Sequence, residues 1–144
     1  MTSTRRKKDR IPVQYAVPRR GVPSAASFRK WTALAPSNVT LRVVGEREGR
    51  QLNSRFRGRD YATNVLSFPY GKGQGDVVLC HPVIAREARA QGKSVAAHYA
   101  HLVLHGILHL RGYRHERKAE AERMERAEIR LLRRLGLRNP YAVE

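Results

Sequence analysis

Four of the six histidines in this chain fall within fifteen residues, in the run HLVLHGILHLRGYRH from His101 to His115. His105 and His109 are four apart in an apolar stretch of helical period, so their rings leave one helix face a turn apart and form a two-ligand metal clamp. His101 stands two turns from His109, about 12 Å along a helix, which is too far for both to reach one ion. His115 is the better third ligand. Gly112 lies three residues past His109, where a left-handed conformation can end the helix and let Tyr113 and Arg114 carry His115 back to the same face. Three imidazoles on a tetrahedral ion leave one position open for water or a phosphate oxygen, the mark of a catalytic site. One zinc ion is the expected occupant.

The spacing HxxxHxxGxxH is that of metzincin proteases, with one difference: the glutamate that follows the first histidine there is Gly106 here. Because that glutamate is the general base of peptide hydrolysis, the protease route is poorly supported. No other carboxylate in the sequence stands in an obvious base position. The attacking group is then water or a ribose 2′-hydroxyl, and a 2′,3′-cyclic phosphate on the product would indicate internal attack.

The same residues resemble a known family. HGILHLRGYRH is similar to the YbeY signature HGxLHLxGYDH, with Arg114 where that family usually has Asp. The resemblance extends to LNSRFRGRDYATNVLSFPY from Leu52 to Tyr70 and to GDVVL from Gly75 to Leu79, which match LNxxYRxxDxxT(D/N)VLSFP and GDI(V/I)I. It implies an α+β metal-dependent endoribonuclease that prefers single strands and acts in ribosomal RNA maturation at the 3′ end of small-subunit rRNA, and in ribosome quality control. The partners implied are RNA, the ribosome or a small-subunit precursor, and ribosome-associated proteins. It also singles out Arg57, aligned with an arginine that the family places beside the metal. A guanidinium there binds phosphate in a fork and stabilises charge in the transition state. By spacing alone, Arg55, Arg57 and Arg59 read only as a solvated basic face.

The chain has 144 residues, enough for one domain with a real core. With 29 Lys and Arg against 12 Asp and Glu, its formal charge of +17 favours polyanions, although charge alone does not separate RNA from DNA or an anionic membrane. Cys80 is the only cysteine, which excludes an intrachain disulfide and fits a cytoplasmic home. No apolar run of membrane-spanning length is evident. Residues 1–10 read as a disordered basic arm able to touch phosphate, and residues 11–144 as a single domain.

The elements needed to place the histidines follow in order. Val13–Val17 is a candidate strand. Ser24 caps a helix with Phe28, Trp31 and Leu34 on its inner face, stopped at Pro36. Val39–Val44 alternates as a half-buried strand, and a polar helix from Glu46 to Phe56 ends near Gly58. Val65–Phe68 and Val77–Cys80 are strands joined across a glycine-rich connection from Gly71 to Gly75 that lacks the ending of a nucleotide-binding loop. Pro82 opens a helix that stops at Gly92, and Ser94 caps the central helix. Glu116–Leu135 is a charged amphipathic helix with Met124, Ala127, Leu131 and Leu135 on one stripe. Cys80, His81, His98 and His101 read as structural residues and not as ligands of the same ion.

These elements predict an α+β fold, a small mixed sheet of about four strands covered by helices, with the metal-bearing helix buried centrally. Two rivals stand beside the ribonuclease. One is a non-catalytic RNA-binding ribosome assembly factor with a structural metal; the other is a zincin-like metalloprotease.

Overall fold

A computed structural model describes residues 11–142. Their elements run β1 (Val13–Tyr15), α1 (Ala25–Thr32), β2 (Asn38–Val44), α2 (Glu46–Arg57), β3 (Val65–Gly71), β4 (Gln74–Cys80), α3 (His81–Ala90), α4 (Val95–Leu110) and α5 (Lys118–Arg134). The expected strands and helices are all present, and the proposed basic arm at residues 1–10 lies outside the described residues.

The sheet is mixed, in the order β1-β2-β4-β3. β1, β2 and β4 are parallel, with Leu41 opposite both Val13 and Val77, while β3 runs antiparallel to β4 with Ser67 opposite Val77. β3 is an edge strand, which explains how Pro69 is tolerated in it. The interior strand β2 buries Val39, Leu41 and Val43 on one face, as its alternation requires, and Val44 on the other.

Local chemistry sets the helix ends. The Ser24 and Ser94 hydroxyls accept from the amides of Ser27 at 3.2 Å and Ala97 at 3.0 Å, the two expected N-caps. α1 stops at Thr32, short of Pro36, yet Phe28 and Trp31 are buried as its spacing demands. Gly58, at φ 68°, closes α2 in the left-handed conformation.

α4 is the organising helix, buried along most of its length. Its Tyr99, Val103 and Ile107 join Phe28, Leu41 and Val77 in the main core. Gly106 faces the sheet at close range: a Cβ built there would lie 2.9 Å from Val77 Cγ1 and 3.2 Å from Ser67 Oγ. α5 packs along another side of α4 through Met124, Ala127 and Leu132. Among the described residues no helix is long and apolar enough to cross a membrane.

Candidate metal centre

His105 and His109 project from one side of α4, as the four-residue spacing requires. The helix ends at Leu110, and Gly112 adopts φ 98° beyond it. Backbone amides of Gly112 and Tyr113 bond the carbonyls of His109 at 3.0 Å and Leu108 at 3.0 Å, which fixes the reversal. His115 is thereby returned to the two helical histidines. Ring centroids stand 4.7 Å apart for His105 and His109, 4.7 Å for His109 and His115, and 5.9 Å for His105 and His115. One nitrogen from each lies within 4.8 Å of the other two.

The donor set fits a divalent ion. His109 must be neutral to ligate, and burial lowers its pKa to about 4, with the neighbouring His105 and His115 adding to the effect. His115 is exposed, so the cluster opens on solvent and leaves an approach for water or substrate.

The chain can now be set beside known proteins. The family model for endoribonuclease YbeY matches residues 16–136. The chain belongs to the YbeY family. Among curated relatives, the endoribonuclease YbeY of Xanthomonas axonopodis pv. citri is 53% identical and that of Stenotrophomonas maltophilia 48%, each match covering 93% of this chain and 94% of the relative. The solution structure of TM1509 from Thermotoga maritima shares the fold, at TM-score 0.53 and 23% identity, covering 91% of this chain and 99% of that one.

In this YbeY-family chain Arg57 is the last residue of α2, and its Nη2 donates to the Ser67 carbonyl of β3 at 3.3 Å. Buried Asn53 donates to the Tyr61 carbonyl at 2.7 Å, and Arg50 grips Asp60 with two bonds of 2.8 and 2.9 Å, so the α2–β3 loop is pinned where it must pass Arg57. Ser67 in turn donates from Oγ to the Gly106 carbonyl at 3.2 Å, adjacent in sequence to His105. The arginine is thus joined to the histidine-bearing helix α4 through one strand residue. Arg114, the departure from the family pattern, is exposed and its Nη1 lies 3.9 Å from Glu116 Oε1.

The other singled-out residues take structural places. His98 is buried and donates from Nε2 to Glu87 at 2.8 Å, which also accepts from Asn64 at 3.0 Å. Cys80 is buried against the Gly45 carbonyl, and His81 bonds the Tyr99 hydroxyl through Nδ1 at 2.8 Å. His101 does not join His109 and His115.

One residue of the centre escaped the sequence reading. Glu128 of α5 is only 1% exposed and sits 2.7 Å from both His101 Nε2 and His105 Nδ1. It lies on the buried side of α5 with Met124 and Leu132, four residues from each. That spacing is the signal that could have found it. The stripe expected through Leu131 and Leu135 is displaced accordingly: both are only partly buried.

Proposed function

We propose that this chain is a metal-dependent endoribonuclease that cleaves single-stranded RNA at one zinc ion held by His105, His109 and His115, with Arg57 as its catalytic arginine. The observation that carries the metal assignment is the convergence of three imidazole nitrogens on an open face. Membership of the YbeY family and a charge of +17 support RNA as substrate. When bound, the ion supplies Lewis acidity toward a phosphate oxygen or an attacking hydroxyl. The Arg57 guanidinium has donors to spare beyond its bond to Ser67 and binds a phosphoryl oxygen as charge grows there.

Glu128 does not serve as general base. It is buried, it accepts three hydrogen bonds, and although burial pushes its pKa up, the bonds from His101, His105 and Tyr141 prevail and hold it at about 2. The place a zincin gives its base is filled by the sheet, since even a Cβ at Gly106 meets Val77. That contact also argues against peptide hydrolysis.

Exposed aromatic side chains, one of them next to Arg57 in sequence, support a single-strand preference. Phe56, Tyr61 and Tyr70 are exposed aromatics, Phe56 stands edge-on to Phe68 at 5.3 Å, and Arg55 lies 5.3 Å over the Phe56 ring. Unpaired bases stack on such rings, whereas paired bases cannot reach them. Residues 11–144 act as one domain with residues 1–10 as a basic arm. The family supports a role at the 3′ end of small-subunit rRNA and in ribosome quality control, in the cytoplasm, on the ribosome or its small-subunit precursor and with ribosome-associated proteins.

The deciding experiment incubates the purified chain with structured and single-stranded RNA and with a peptide library, before and after metal removal. Metal-dependent RNA cleavage with intact peptides is expected. RNA binding without turnover would instead indicate an assembly factor. Alanine at His105, His109 or His115 should lower zinc occupancy by elemental analysis while His98→Ala retains it; equal occupancy in all four refutes the ligand assignment.

A further inference from the structure

Glu128 is the only buried acidic side chain among the described residues, and its surroundings are unusual. Oε1 accepts from His101 Nε2 at 2.7 Å and from the Tyr141 hydroxyl at 2.5 Å, while Oε2 accepts from His105 Nδ1 at 2.7 Å. Its close partners are two imidazoles and a phenol. An apolar residue between Met124 and Leu132 would avoid the cost of desolvating a carboxylate, so packing alone does not account for a glutamate there.

The bonds have a direct consequence for the ligand set. An ionised carboxylate only accepts, so the proton of His105 resides on Nδ1 and the lone pair on Nε2. The ring is held in one tautomer and one orientation, with Nδ1 committed and Nε2 free. Without the carboxylate, the ring could present either nitrogen and rotate about its side chain. Tyr141 reaches in from beyond the end of α5 and also lies 3.2 Å from His101 Nε2, its ring edge-on to His101 at 5.5 Å. The carboxylate is therefore held from two directions.

Resting on the metal-site reading above, we propose that Glu128 is a positioning residue that fixes His105 as an Nε2 ligand, and that Tyr141 latches the C-terminal segment onto this carboxylate so that metal affinity depends on residues far outside the histidine motif. Second-layer carboxylates of this type sustain metal affinity by roughly 10–100-fold. His101, Glu128 and His105 could also be read as a second cation site. Against that reading, His105 Nδ1 cannot both carry the proton donated to Glu128 and ligate an ion.

The test uses the full chain with Glu128→Gln, Glu128→Asp and Tyr141→Phe. Zinc affinity is measured by competition with a chromophoric chelator, and the His105 tautomer by long-range proton–nitrogen NMR of the metal-free protein. Nδ1–H of His105 is expected in the unsubstituted chain. Glu128→Gln should weaken zinc binding about 10–100-fold and disturb that tautomer, with Glu128→Asp recovering part of the loss and Tyr141→Phe losing a few-fold. Tyr141 is 39% exposed, so its variant remains informative even if Glu128→Gln fails to fold. Unchanged zinc affinity in Tyr141→Phe together with unchanged affinity or failed folding in Glu128→Gln overturns the proposal. A lower melting temperature with unaltered affinity and tautomer does the same, since that is a packing role. A second bound zinc that Glu128→Gln removes would make Glu128 a ligand and also overturn it. Absence of zinc binding by the unsubstituted chain is a separate result, which refutes the metal-site reading itself.

Discussion

The Ser67 hydroxyl donates to the carbonyl of Gly106 at 3.2 Å, joining the edge strand to the helix at the residue between His105 and the buried Ile107. So close an approach is possible only because Gly106 has no side chain. Gly106→Ala should overpack this contact and cost about 1–3 kcal/mol of folding stability in the metal-free chain. Denaturant titration checks it; a variant as stable as the parent would mean that the helix can lift from the sheet without penalty.

Arg57 should matter to turnover more than to folding, because it is exposed and its single described bond is to a backbone carbonyl. Arg57→Ala is expected to keep its metal and its melting temperature while losing on the order of 2–4 kcal/mol of transition-state stabilisation, as for removal of one oxyanion donor. Single-turnover cleavage measures this directly. An unchanged rate would move attention to Arg55 or Arg59.

Arg114 points away from the core beside Glu116, in an exposed turn held by the Gly112 and Tyr113 backbone. Arg114→Asp should leave zinc occupancy intact, weaken RNA association, and reduce its salt dependence by about one phosphate contact. A raised zinc affinity with the salt slope unaltered would place residue 114 in the ligands' support instead.

Acid should weaken the fold through its buried histidines. Burial pushes the pKa of His98 below its ordinary value, Lys93 and His101 push the same way, and Glu87 opposes them; burial alone lowers His81. Between the folded pKa and the ordinary value near 6.5, the unfolded chain binds more protons, so stability is full above that value and falls as pH drops through the window. Each such group contributes at most about 1.4 kcal/mol per pH unit. In urea melts of the metal-free chain from pH 7 to 5, His98→Gln should show a shallower decline than the parent. Parallel declines would mean that His98 takes up its proton alike in the folded and unfolded chain.

The histidine motif was legible in the sequence because its geometry is local. Helical periodicity places His105 and His109, and one glycine with φ 98° returns His115, so no contact distant in sequence is needed. The strands and caps were legible for the same reason, through the alternation in β2 and the serines that begin α1 and α4. Arg57 was different: its alternation with Arg55 and Arg59 carried no sign of a site, and the family resemblance singled it out. Its bond to Ser67 depends on the α2–β3 loop folding back under the hold of Asn53 and Arg50. Glu128 was hidden further still, as one acid in a helix rich in charge. Its meaning depends on which face of α5 meets α4, and hydrophobic spacing only approximates that rotation. The packing of Met124 and Leu132 turns this carboxylate inward, 23 residues beyond the histidine it holds.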